Sequence, residues 1–403
     1  MQIIGCKNAV QIQVIFMNLK ETDVKYVANT YSRFPIEIVS GSGSLCYDES
    51  GKEYIDLGSG IAVNTFGYSD EEWVCAVEKQ LRCVSHTSNL YYTSPCVLLA
   101  KELCVRTGME KVFFANSGAE ANECAIKAAR LWAEREKGSE YSTIITLKNG
   151  FHGRTVTTLA ATGQDVFHMH FMPLTPGFVY VEANNTAALE DALSKNKCAA
   201  VMLELIQGEG GVTVMDKDYI KSVVRLCEKE NVLLIIDEVQ TGNGRTGKLY
   251  AYMHYDIKPD IFTTAKGLGG GLPIGAAIFG KKTADVYSPG LHGSTFGANP
   301  VCCSGALNVL SRLDEELLDG VRKRSEYIFS ELSSSRGIKG VYGMGLMIGV
   351  ETERDLSAVI DDCIKGGVLV LRAKNRLRLL PPLNIPMPLL KKGIDVIKKA
   401  AAI

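Results

Sequence analysis

The chain has 403 residues, with 44 Lys and Arg against 45 Asp and Glu, so its formal charge is −1. Near-neutrality gives no general field for nucleic acid or an anionic membrane, and 46% hydrophobic with 22% charged residues is a globular balance, not a disordered one. The length suits two to three domains, or one large α/β unit with an appendage.

The first 17 residues are apolar but interrupted by Gln11 and Gln13. They lack the basic start and small-residue cleavage site of a signal peptide and are too short to span a bilayer. Met17 precedes an ordinary polar start, so residues 1–16 are expected to be an upstream extension outside the fold. Residues 44–57 read as a hairpin around Asp48 to Gly51. Residues 71–83 and 95–107 read as helices. Short apolar runs then alternate with helical stretches: strands at 111–115, 142–147, 199–206, 232–236, 261–264 and 275–280, and helices at 119–137 and 217–230. That rhythm implies a mainly parallel sheet covered on both faces, with ligands at the carboxyl ends of its strands. From about residue 300 the pattern changes to helices at 300–313 and 315–334, strands near 345–350 and 367–372, and a Lys-rich final helix. This predicts a second, smaller α+β domain. The expected division is 17–60 as an N-terminal segment of that small domain, 61–299 as the large domain, and 300–403 as its C-terminal part.

The 12 cysteines show no repeated spacing and no CxxC, which points to a reducing, cytoplasmic setting without a disulfide framework. The six histidines do not pair with cysteine at zinc-ligand spacing, and no metal is expected.

Three constellations carry chemistry. In the first, a strand ends at Ala115 and a helix begins after Ser117, with Glu120 three residues on, a capping-box arrangement. Such a helix start presents free N–H groups and favours phosphate. In the second, Asp237 ends a fully apolar strand at the functional edge, where a semi-buried carboxylate wants a cationic partner. The GNGRTGK that follows mimics a phosphate loop, but Leu249 stands where a Ser or Thr should bind Mg²⁺. In the third, Lys266 ends another apolar strand and is followed by Gly267, Gly269, Gly270 and Gly271. A desolvated amine there has a depressed pKa, and the glycines do not fit a dinucleotide fingerprint. A phosphate cradle, a buried carboxylate and a strand-end lysine on one sheet are together what pyridoxal phosphate requires.

At this point the sequence resembles the class-III aminotransferases, of pyridoxal-phosphate fold type I. SGAEAN (117–122), NGFHGRT (149–155), ELIQGEGG (204–211), DEVQTGNGRTG (237–247), TTAKGLGGGLPIG (263–275), HGSTFGANP (292–300) and LRLLPPLNI (377–385) match in family order. The resemblance implies an aspartate-aminotransferase-like large domain with a mainly parallel sheet, plus a smaller α+β domain. It assigns Lys266 to carrying the cofactor and Asp237 to its ring nitrogen. Ser117, Gly118 and Ala119 would hold the phosphate, and Thr295 would reach the phosphate of a second subunit's cofactor. Phe151 and Val239 would pack on the two ring faces, and Gln240 would touch the hydroxyl side. Arg154 and Arg378 would clamp substrate carboxylates, with guanidinium groups suited to bidentate pairing. Glu209 would cover Arg378 when no second carboxylate is present, and Tyr31, Gly60 and Ser294 would border the substrate.

Within the family, SGIAVN (59–64), RFPIEI (33–38) and HTSNLYYTSP (86–95) look most like the branch that uses N-acetylornithine with 2-oxoglutarate, as a homodimer. Gly60, where ornithine-using members carry a bulky aromatic, leaves room for an acylated amine. Succinylornithine, succinyl-diaminopimelate, 4-aminobutyrate and ornithine stay open as donors, and an aminomutase of the same fold stays open as a rival. Ala298 departs from the family's more usual Gly, a methyl expected to put nothing essential in doubt.

Overall fold

The computed structural model describes residues 19–402. The expectation that residues 1–16 form an upstream extension lies outside them. At the centre is a seven-stranded sheet, whose strands in chain order are β1 (Lys111–Ala115), β2 (Thr143–Leu147), β3 (Phe178–Val181), β4 (Cys198–Leu203), β5 (Leu233–Asp237), β6 (Ile261–Thr264) and β7 (Gly275–Phe279). Their spatial order is β1-β7-β6-β5-β4-β2-β3. Strands β4 to β7 are buried along their whole length, which is why they read as unbroken apolar runs without alternation.

The sheet is mainly parallel, as expected, with one strand reversed. β7 runs antiparallel to both β6 and β1. An apolar run encodes burial on both faces but not strand direction, so the sequence carried no sign of the reversal. A second difference lies at 199–206. The strand stops at Leu203, and Ile206–Gln207 forms a separate short hairpin with Thr213–Val214.

The helix Gly118–Lys137 buries an alanine-rich face (Ala121, Ala125, Ala128, Ala129) against one side of the sheet. Small side chains there let helix and sheet approach closely. On the other side lies the strongly amphipathic Lys217–Lys229, which buries Tyr219, Ile220, Val223 and Leu226.

Two further four-stranded sheets flank this layer. One joins both ends of the chain: Ile38–Ser42, Leu45–Asp48 and Glu53–Asp56 are antiparallel neighbours, and Glu53–Asp56 pairs in parallel with Val368–Leu369. The other contains Ile338–Met344, Met347–Thr352, Arg376–Leu379 and Leu371–Ala373, all antiparallel. It packs with the helices Glu315–Ser333 and Leu356–Lys365, and Met387–Ala402 packs on those helices and on Val368–Leu369 of the first sheet.

Candidate active site

The three predicted constellations meet at the carboxyl edge of the central sheet, around a cavity of about 470 Å³. Ser117, Gly118 and Ala119 enter it from the helix start after β1. Asp237, Val239 and Gln240 enter from the end of β5, and Lys266 from the end of β6. Phe151 and Arg154 border it from the loop after β2.

Ser117 is the N-cap, its Oγ accepting the Glu120 N–H at 3.1 Å. The Glu120 carboxylate accepts the N–H of Asn116 at 2.6 Å, one residue upstream of the capping-box position. The amides of Gly118 and Ala119 open the helix and have no intrahelical acceptor. Gly118 must be glycine for a packing reason: a Cβ there would lie 2.7 Å from Val239 Cγ1.

Asp237 is buried and almost fully partnered. Oδ2 accepts from Asn122 Nδ2 and His152 Nδ1, each at 2.8 Å, and Oδ1 accepts the Val239 N–H at 3.0 Å. Four lone pairs less three donors leave one site on Oδ1 for an N–H in the cavity. Asn122 is itself fixed, its Oδ1 accepting from Thr263 Oγ1 at 2.7 Å and its Nδ2 also donating to the His152 carbonyl. Burial favours neutral His152, but the hydrogen bond and charge of Asp237, with the charge of Glu204, outweigh it and raise the imidazole pKa.

Lys266 adopts φ +47, a left-handed conformation costly for a side chain with a Cβ. Its flanking peptides are held on both sides: Asn243 Nδ2 donates to the Ala265 carbonyl at 3.1 Å, and Thr65 Oγ1 to the Gly267 carbonyl at 2.6 Å. Its amine has no hydrogen-bond or ion-pair partner among the described residues. Burial lowers its pKa; Glu209 opposes this, and Arg378 adds to it.

Beside the cavity, Arg378 is 3% exposed and pairs through Nη1 with Glu209 Oε1 at 2.5 Å and with Gln240 Oε1 at 3.2 Å. Arg154 is exposed and unpaired by any carboxylate among the described residues, its guanidinium 4.1 Å from the Phe167 ring centre.

Four further predicted site residues are absent from the cavity lining. Tyr31 is 70% exposed and stacks near Arg33. Gly60, at φ +63, borders a neighbouring hollow of about 380 Å³ with Arg33, Phe34 and Tyr68. Ser294 reaches the cavity wall only indirectly, its Oγ accepting from Asn116 Nδ2 at 3.2 Å. Thr295 is exposed on the rim. Nearby Ala298 has φ +63, so its methyl carries a backbone strain of about 1 kcal/mol, a cost the sequence reading did not foresee.

Sequence reasoning gave no role to Glu204, His152 or Asn122. Glu204 follows β4 directly, and its two oxygens accept the N–H groups of Phe151 (2.9 Å) and Gly208 (3.3 Å). Burial pushes its pKa up to about 7, opposed by His152. Its signal was present, a lone acid inside the apolar run Leu203 to Ile206.

The residues fit pyridoxal phosphate. The helix start offers amides for a phosphate, the remaining Asp237 lone pair could accept a ring N–H, and the unpaired amine of Lys266 is available to an aldehyde.

Comparison with known proteins agrees with this geometry. The family "aminotransferase class-III" matches residues 26–401, and the chain belongs to it. It is similar to the acetylornithine aminotransferase of Haemophilus ducreyi, at 48% identity over 94% of this chain and 97% of that one. Among solved structures, the acetylornithine aminotransferase of Elizabethkingia anophelis aligns with TM-score 0.84 at 34% identity, covering 95% and 97% of the two chains. The ornithine aminotransferase of Toxoplasma gondii, which has partial occupancy of pyridoxal phosphate at its active site, aligns with TM-score 0.91 at 33% identity, covering 95% and 94%. The protein is an aminotransferase.

Proposed function

We propose that the enzyme transfers the δ-amino group of N2-acetylornithine to 2-oxoglutarate, giving N-acetylglutamate 5-semialdehyde and glutamate, a step toward arginine. The observation that carries this reading is the Arg378–Glu209 pair beside Lys266. A ping-pong transaminase must accept a donor with one carboxylate and then an acceptor with two. A buried guanidinium covered by a displaceable acid serves both: Glu209 neutralises Arg378 for the first, and the second carboxylate of 2-oxoglutarate replaces Glu209 for the second. The resemblance of the whole chain to acetylornithine-using relatives selects the donor.

Pyridoxal phosphate, when bound, supplies an aldehyde that holds amines and an electron-poor ring that accepts the electron pair left when a carbon loses its proton. Asp237, hydrogen-bonded by Asn122, His152 and Val239, would hold the proton of the ring nitrogen. Ser117, Gly118 and Ala119 would receive the phosphate, and Phe151 and Val239 would enclose the ring. Lys266 Nζ, made less basic by burial, takes the proton from the δ-carbon of the donor and in the second half-reaction delivers one to the α-carbon of the new glutamate. Arg154 holds the other carboxylate of each substrate, at the open side of the cavity.

The reading includes a homodimer with shared sites. Asn89 ties the Ser294 and Gly297 carbonyls to the 88–92 stretch, so the exposed Thr295 and Phe296 sit beside Leu90, Tyr91 and the 99%-exposed Tyr92, an apolar rim suited to a second copy. It also places the enzyme in the cytoplasm, where unpaired cysteines such as Cys302 and Cys303 stay reduced. No helix among the described residues is long and apolar enough to cross a membrane.

The test is a donor panel of acetylornithine, succinylornithine, succinyl-diaminopimelate, ornithine and 4-aminobutyrate, each with and without 2-oxoglutarate. Acetylornithine should give the highest kcat/KM. A better alternative donor would overturn the substrate assignment, and turnover without acceptor would indicate an aminomutase.

A further inference from the structure

Glu209 is the only side chain beyond hydrogen in Gly208-Glu209-Gly210-Gly211. Such a turn is free to wander unless something holds it, yet Glu209 must return to Arg378 after every acceptor turnover. The structure holds it at both ends. The Gly208 N–H donates to Glu204 Oε1, and the Gly211 carbonyl, in a residue at φ +99, accepts from Arg376 Nη1 at 2.7 Å. Between these points the backbone is pressed against its neighbours. A Cβ at Gly208 would lie 2.5 Å from the Gln240 amide, and one at Gly210 would lie 2.6 Å from the Asn149 carbonyl oxygen.

Arg376 belongs to the strand that carries Arg378, two residues on and therefore on the same face. Its guanidinium lies 3.5 Å from the Tyr342 ring centre, with Nε 3.6 Å from Glu351 Oε2. Arg378 does not depend on Arg376 for its place, because its own residue pairs with Gly349 on one side and Leu371 on the other. One strand therefore presents both the arginine that Glu209 covers and the arginine that fixes the turn bearing Glu209.

We propose that Arg376, with Glu204, is a positioning residue that clamps the 208–211 turn, so that Glu209 leaves and regains Arg378 by rotating its own side chain while the backbone stays. This rests on the Arg378–Glu209 reading above. Loss of the clamp lets the turn drift, weakens the cover on Arg378 and favours dicarboxylate donors over acetylornithine.

The experiment compares holoenzyme variants by one number, kcat/KM for acetylornithine divided by kcat/KM for glutamate as amino donor. Arg376→Met should lower the ratio about tenfold, the size of losing one hydrogen bond from a charged donor. Glu209→Gln should lower it further. The double variant should match Glu209→Gln alone, since a clamp has no effect once the acid it holds is gone. Arg376→Lys, which keeps a charged donor for the Gly211 carbonyl, should restore most of the ratio, and it carries the test if the Met variant does not fold. An unchanged ratio in Arg376→Met while Glu209→Gln shifts it overturns the clamp, as does an additive double variant. An unchanged ratio in Glu209→Gln instead overturns the switching role of Glu209 itself.

Discussion

Replacing Asp237 by Asn keeps the shape of the side chain and removes its charge, so the consequences can be worked from its partners. The new amide has one acceptor oxygen. Turned toward Asn122 and His152, it satisfies those two donors and points its NH₂ at the Val239 N–H. One buried donor is then orphaned, at a cost of about 1–3 kcal/mol. The larger effect depends on pH. Asp237 is the main reason the His152 imidazole pKa is raised in spite of burial. A histidine whose pKa is raised on folding adds stability that is fully present below the unfolded value and is lost as pH rises through the folded one. With Asn at 237, burial prevails and the imidazole pKa falls below its ordinary value, so that folding instead favours the neutral ring and stability is lost on acidification. The difference between the two proteins must therefore widen from pH 8 to pH 6. It should reach about 3 kcal/mol or more at the acid end, as expected when a buried ion pair loses one member. For a chain this long, 1 kcal/mol corresponds to on the order of 1 °C in Tm, so thermal melts of cofactor-stripped protein should separate by a few degrees at pH 6. A gap that is constant with pH, or narrows toward acid, would refute the raising of the His152 pKa by Asp237.

Other substitutions probe the remaining parts. Lys266→Ala should abolish turnover and the visible absorption of the cofactor-loaded enzyme, read by spectrophotometry; turnover at a measurable fraction of wild type would contradict the role of Nζ. Arg378→Ala should weaken 2-oxoglutarate by roughly 2–5 kcal/mol, because a buried carboxylate would lose its partner. Steady-state KM for the acceptor measures this, and an unchanged value would count against the clamp. Ala298→Gly should raise thermal stability by about 1 kcal/mol by relieving the positive φ, and a fall in Tm would show that the methyl packs favourably.

The inner strands of the central sheet were readable as apolar runs because they are buried on both faces, whereas the half-buried outer strand Phe178–Val181 was missed. Asp237 and Lys266 were found at the ends of two such runs, and the structure brings both to one cavity. What escaped has specific causes. The strand Arg376–Leu379 alternates Arg-Leu-Arg-Leu, but four residues are too short a run for the period to mark it, and Arg378 is buried rather than solvent-facing. The direction of β7 left no trace in composition. Asn122 and His152 belonged to motifs already noted, yet their role depends on meeting Asp237, 115 and 85 residues away in sequence, and only the order of strands makes that meeting. Gly60 and Tyr31 came from resemblance alone; in the single chain Gly60 lines a hollow with Arg33 and Tyr68, and Tyr31 is exposed.

The reversal of β7 has a consequence for how Lys266 works. Because β6 and β7 are antiparallel neighbours, with Thr264 opposite Ala276, the segment between them leaves and re-enters the sheet at the same edge. The lysine thus sits on a short arch anchored at both feet, not on the first turn of a long crossover. Such an arch has little slack. When the amine must leave one partner and serve another, the travel has to come from rotation about the four carbons of its own side chain, and the range of that rotation sets how far a proton can be carried.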